Sequence, residues 1–167
     1  MHPNSIIFGS AYYEEYMPYN RILQDFTMMK KAGMNTIRIG ESTWSSLEPE
    51  DGIFNFNHID LMLQTAFDVG LSVIVGTPTY AIPSWLAIKY PDILVTGKEG
   101  QAKYGHRQTM DILNPNYRNH CERMIRELLQ HIHKHPSIIG YQLDNETKSY
   151  GNYGPYAQQE FISYLKN

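Results

Sequence analysis

Ser137-Ile138-Ile139-Gly140-Tyr141-Gln142-Leu143-Asp144-Asn145-Glu146 runs from an apolar strand straight into three polar side chains. A buried strand that ends this way puts a carboxylate at the carboxyl edge of a parallel sheet, where α/β enzymes gather their active sites. Glu146 is therefore the first candidate for catalysis. The same three polar residues also suit a strand cap or the start of a turn, so the rest of the chain has to decide between the two.

Upstream, the spacing predicts a helix over Pro115 to His135, with Tyr117, Cys121, Met124, Ile125, Leu128, Leu129 and Ile132 on one apolar stripe. Further back, Ile6 to Tyr12 reads as a strand and Tyr19 to Ala32 as a helix stopped by Gly33. Asn35 to Gly40 is a strand, and Asn57 to Val69 a helix with Asn57 as N-cap and Gly70 as its stop. Leu71 to Gly76 is the third strand. The helix–Gly–strand unit occurs twice, which is the rhythm of repeated βα units. Thr77 to Asn114 is a long, loop-rich insertion with one helical piece at Pro83 to Lys89, and loops of that length in a compact domain are usually functional. Another helix begins over Tyr156 to Leu165, and no linker or domain boundary interrupts residues 1–167.

Four βα units fit half of a (β/α)8 barrel or a small doubly wound sheet. Polar clusters follow the carboxyl end of every strand: Tyr12-Tyr13-Glu14, Glu41 to Trp44, Thr77-Pro78 and Asn145-Glu146. A barrel collects all four on one face, whereas a doubly wound sheet gathers its site at one switch point. A complete barrel takes about 250 residues, so residues 1–167 cover little more than half of a TIM barrel and read as truncated.

Composition removes several classes of function. With 42% hydrophobic and 19% charged residues and a net charge of −3, the chain is an ordinary globular domain without the basic face that nucleic acid requires. No apolar run approaches the roughly 20 residues of a membrane span, and Met1-His2-Pro3-Asn4 does not begin a signal peptide. A cytoplasmic location is the expectation. A lone cysteine, Cys121, excludes an internal disulfide framework and a cysteine-rich zinc site, and its place on an apolar stripe marks an inert thiol. His131 and His135 share a helix face that His133 does not, and cations suit a helix C-terminus without any metal. Neither a Gly-rich phosphate loop nor a Ser nucleophile elbow is present.

What remains is carboxylate chemistry. Glycoside hydrolysis takes one protonated acid for the leaving oxygen and a second carboxylate at the anomeric carbon. Glu146 fits the acid, because an apolar strand behind it and a closed pocket favour a neutral carboxyl. Asn145 offers an amide to a sugar hydroxyl. Glu41 is the other acid at a strand's carboxyl end, and it reads better as a polar ligand to neighbouring loops than as a nucleophile. Trp44 reads as loop packing before a sugar platform.

Trp44-Ser45-Ser46-Leu47-Glu48-Pro49-Glu50-Asp51-Gly52-Ile53-Phe54-Asn55-Phe56, then Thr77-Pro78-Thr79 with Pro83-Ser84-Trp85-Leu86, then Tyr141 to Glu146 resemble, in that order, glycoside hydrolase family 42, the β-galactosidases with a (β/α)8 catalytic domain. The resemblance runs from about Phe8 to Asn167 and makes the expected fold the N-terminal half of that barrel. It implies hydrolysis of terminal β-galactosides with retention and without a cofactor, Glu146 as general acid/base and Asn145 as its substrate-holding neighbour. It also implies that Arg107, in Tyr104-Gly105-His106-Arg107-Gln108, contacts the galactosyl unit. Some members bind structural zinc through cysteines near Asp111 and after the Asn-Glu pair; neither place holds cysteine here, so no metal is expected. The family's nucleophilic glutamate follows the seventh strand, so no nucleophile is expected in this chain and residues 1–167 alone are expected to be inactive. Homo-oligomerisation is open for a full-length enzyme. The rival readings are another retaining barrel glycosidase, xylanase- or cellulase-like, and a non-catalytic carbohydrate-binding remnant.

Overall fold

A computed structural model describes residues 6–105, 109–146 and 151–167. Its main sheet has four parallel strands, β1 (Gly9–Ala11), β2 (Thr36–Ile39), β3 (Ser72–Gly76) and β6 (Ile138–Gln142), adjacent in chain order. That order decides the architecture. A doubly wound sheet reverses its strand order at a switch point, whereas unbroken succession of parallel strands is the winding of a barrel. The fold is thus a partial (β/α)8 barrel, as the repeat rhythm implies.

The helices are α1 (Ile22–Lys31), α2 (Trp44–Leu47), α3 (Asn57–Val69), α4 (Ser84–Lys89), α5 (Pro115–Ile132) and α6 (Pro155–Lys166). Ile37, Ile39, Val73 and Val75 alternate along β2 and β3 with Thr36, Arg38, Ser72 and Ile74, so one face carries branched apolar side chains. They share the core with Ile22 and Phe26 of α1 and with Ile59, Met62, Leu63 and Ala66 of α3. α5 adds Tyr117, Met124, Leu128 and Ile132 from the predicted stripe.

Several boundaries differ from the sequence reading, each for a local reason. β1 keeps only Gly9–Ala11 of Ile6 to Tyr12, because its paired register with β2 runs from Gly9 opposite Thr36 to Ala11 opposite Arg38, with one further bond at each end, Asn35 N–H to the Phe8 carbonyl and Tyr12 N–H to the Arg38 carbonyl. The predicted N-cap Asn57 is the first residue of α3; Asn55 Oδ1 accepts the Asn57 N–H at 3.1 Å, so an Asx turn two residues earlier does the capping. Gly70 does end α3, in the left-handed region at φ 74°. α5 stops at Ile132. Its N-terminus is fixed by Asn114, fully buried, whose Oδ1 accepts from Asn116 N and Tyr117 N at 2.8 and 3.2 Å.

The insertion after β3 is more ordered than its sequence suggests. It holds α4 and a small hairpin, β4 (Thr96–Gly97) with β5 (Gly100–Gln101), and it buries Leu86, Ile93, Val95 and Met110. The loop after β2 is equally well anchored. Trp44 is wholly buried and donates Nε1–H to Glu48 Oε2 at 2.8 Å, while Gly52 N and Arg123 of α5 engage Glu48 Oε1 and Trp85 Nε1 donates to the Glu48 carbonyl. Trp44 therefore packs the loop and offers no face to a sugar.

Large apolar side chains are exposed near both edges of the sheet, as they are elsewhere on the surface. Leu23 and Met28 of α1 are 64% and 57% exposed, and Leu143, Phe161 and Leu165 at the other side are 81%, 56% and 65% exposed.

Candidate active site

The carboxyl ends of the four parallel strands bring together most of the polar groups that the sequence marks. Arg38, inside β2, projects from the face opposite the helices and gathers three strand ends. Its Nη1 donates to Gln142 Oε1 at 2.6 Å and to Asn145 Oδ1 at 3.2 Å, and its Nη2 donates to the Tyr13 hydroxyl at 2.8 Å. The same Nη2 lies 2.8 Å from Glu41 Oε2, and Tyr13 Oη donates to Glu41 Oε1 at 3.1 Å. Glu41 is 2% exposed, so this is a buried ion pair whose cation also carries the site's hydrogen bonds. Gly76 of β3 makes room for it: a Cβ there would stand 2.9 Å from Glu41 Cβ. Glu41 is thus the ligand to neighbouring loops that the sequence suggests.

Asn145 is held by two donors. Besides Arg38, Gln142 Nε2 donates to Asn145 Oδ1 at 3.0 Å, and the Asn145 N–H donates to Asp144 Oδ1 at 2.8 Å. Two donors on Oδ1 fix the amide's orientation, so its Nδ2 faces the other way as a donor.

Glu146 follows with its backbone in the left-handed region, φ 49°, where only this residue among the described non-glycines lies. Such a conformation costs of the order of 1–3 kcal/mol and tends to mark functional sites. Its carboxylate is met by Tyr80, whose hydroxyl donates to Oε2 at 2.8 Å. Arg107 and its neighbours His106 and Gln108 lie outside the described residues.

Three of these groups, Arg38, Gln142 and Tyr80, were not singled out from sequence. Arg38 had a visible signal, a charge between two isoleucines in a strand. Tyr80 had none, for its partner is 66 positions away.

Beside the site, Glu15 has both carboxyl oxygens buried and no hydrogen-bond partner among the described residues. Burial raises its pKa above the usual 4.5, with Glu14 and Glu41 adding to the rise and its own backbone N–H and His58 opposing it. Cys121 is no part of this chemistry: burial pushes its thiol up to about 12, which keeps it protonated and unreactive. His131 binds Asp60 and stacks on Phe56, and His135 bonds Ser137, so the helix-end histidines have structural partners. Among the described residues no cluster of three or more His, Cys, Asp or Glu is arranged to hold a metal. Asp111 instead accepts from Asn152 Nδ2 at 2.6 Å and from Leu113 N at 3.0 Å.

A family model described as beta-galactosidase matches residues 11–167. The chain belongs to glycoside hydrolase family 42. Beta-galactosidase BgaA of a Thermus species is 35% identical over 162 residues, covering 95% of this chain and 25% of its own length. BglY of Alicyclobacillus acidocaldarius is 32% identical, over 92% of this chain and 22% of its length. Among solved structures, a catalytic mutant of Gan42B, a family 42 beta-galactosidase from G. stearothermophilus, superposes with a TM-score of 0.88 at 29% identity, over 96% of this chain and 24% of that one. The beta-galactosidase of the psychrophile Marinomonas ef1 gives 0.87 at 30% identity. The chain therefore spans about a quarter of the length of the family 42 proteins it matches.

Proposed function

We propose that this chain supplies the acid/base side of a retaining β-galactosidase active site, with Glu146 as general acid/base and Asn145 as a donor to a galactosyl hydroxyl. The observation that carries the reading is the Asn145-Glu146 pair at the carboxyl end of β6, one residue tied by Arg38 and Gln142 and the other met by Tyr80. In the first step Glu146 gives its proton to the glycosidic oxygen as the C1–O bond breaks and a nucleophilic carboxylate bonds to C1. In the second, the Glu146 carboxylate takes a proton from the water that displaces that nucleophile. Retention calls for about 5–5.5 Å between the two carboxyl groups, and the family resemblance assigns the nucleophile to a later strand of the barrel. Arg107 is proposed to bind the galactosyl unit, and a β-galactoside is the proposed substrate.

Glu146→Gln in a complete barrel tests this reading. Hydrolysis of galactosides with poor leaving groups should fall by about 10²–10⁴-fold. Activated aryl galactosides should suffer less, because their departure needs little protonation. Near-native rates on an unactivated galactoside would remove Glu146 from the acid/base role.

A further inference from the structure

Tyr80 sits in the short turn Pro78–Tyr80 that follows β3, and it is 6% exposed. That turn is clamped from two sides. Thr77 N donates to the Gln142 carbonyl at 3.0 Å and Thr77 Oγ1 to the Leu143 carbonyl at 2.9 Å, which ties it to the strand end that carries Glu146. From behind, Tyr117 of α5 donates its hydroxyl to the Thr79 carbonyl at 2.9 Å. A buried phenol on a turn so fixed is a rigid donor, and it points at one oxygen of a glutamate whose backbone is strained.

We propose that Tyr80 is a positioning residue that gives the two carboxyl oxygens of Glu146 different tasks, holding Oε2 as an acceptor so that the transferred proton travels on Oε1. The inference rests on the acid/base reading of Glu146. The phenol's hydrogen bond is stronger to an unprotonated oxygen than to a protonated one, so its donation to Oε2 favours the acidic proton on Oε1, from which it leaves with the aglycone. As it leaves, charge grows on the carboxylate and the phenol's hydrogen bond strengthens, which stabilises the product of the first step. The phenol itself neither gains nor loses a proton, and the base step returns the proton from water to Oε1.

The test compares Tyr80→Phe with the parent in a complete barrel, for which a chimera with this chain in place of the matching quarter of Gan42B serves. A hydrogen bond to a charged group is worth roughly one pH unit or more of acidity. Without it, the alkaline limb of the kcat/KM profile should move up by about one unit. The rate on unactivated galactosides should fall about tenfold while that on a dinitrophenyl galactoside changes little. An unmoved limb with equal losses on all substrates would make Tyr80 merely structural and overturn the proposal. If the phenylalanine variant does not fold, 3-fluorotyrosine at position 80 keeps the shape and strengthens the donor, so the limb should move down; an unmoved limb there overturns the proposal as well. Glu146→Gln separates the two levels. A leaving-group-selective loss in Glu146→Gln with no limb shift in Tyr80→Phe sinks only the inference about Tyr80, and no selective loss in Glu146→Gln sinks the acid/base reading beneath it.

Discussion

Glu41 and Glu146 occupy equivalent places, each just past the carboxyl end of a parallel strand, yet the molecule treats them differently. Glu41 is buried and bound by a guanidinium and a phenol. Glu146 is exposed at the sheet's open side, is met by a neutral phenol, and sits on strained backbone. A carboxylate locked to a cation serves as a fixed anion, because giving up its charge would strand the cation. Glu146 lies exposed where a substrate can reach it, which is what the proposed acid/base role requires. Position on the sheet marks both residues as site candidates, and burial separates the fixed anion from the group open to a substrate.

The sharpest way to break this comparison is to unlock Glu41. Arg38→Met leaves the Glu41 carboxylate buried without its cation and removes hydrogen bonds to Asn145, Gln142 and Tyr13. Leaving a buried charge unpaired costs about 3–5 kcal/mol, so thermal unfolding should fall steeply and activity should drop alike for all leaving groups. Little loss of stability would mean that Glu41 does not depend on the ion pair. Arg107→Ala should act in the opposite sense. The truncation is expected to weaken galactoside kcat/KM by about 1.5–3 kcal/mol with the melting temperature unchanged, whereas a destabilised variant with normal kinetics would assign the arginine to structure.

Glu15 offers a smaller test of the same contrast, since it is a buried carboxyl with neither a cation nor a phenol on its oxygens. Its raised pKa means that the folded state favours the protonated form. Its contribution to stability is therefore fully present below the ordinary value of 4.5 and is lost as pH rises through the folded value. Glu15→Gln, neutral throughout, should melt higher than the parent at pH 7 and lose that advantage below pH 4.5. Equal melting temperatures at both pH values would show that Glu15 has a partner that stabilises its charge.

The barrel was legible because its signals are local. Gly33 and Gly70 punctuate two helices before two β-branched strands, and each strand ends in polar residues. In the insertion from Thr77 to Asn114 the helical piece at Pro83 to Lys89 was legible and is α4, but the hairpin and the three-residue turns were not, because elements of two or three residues carry no periodicity for a sequence to display. Of the three motifs behind the family resemblance, the first two largely hold loops: Trp44, Glu48 and Trp85 are bound to one another and to Arg123. The third carries the candidate chemistry. Asn145 and Glu146 could be read as a pair, but their supports could not, since Arg38 reaches Asn145 across 107 positions and Tyr80 reaches Glu146 across 66. Contacts of that separation exist only once the sheet has formed.

The most direct measurement is the configuration of the product formed when azide replaces the catalytic group. Glu146→Ala in a complete barrel, given an activated aryl β-galactoside and sodium azide, should still form the covalent galactosyl intermediate, because a good leaving group departs without an acid. Azide then attacks the face that Glu146 vacated, and the two inversions yield β-galactosyl azide, recognisable from the anomeric proton coupling. α-Galactosyl azide would contradict the account. A single inversion would mean that azide had taken the nucleophile's place, and that Glu146 is the nucleophile instead of the acid/base.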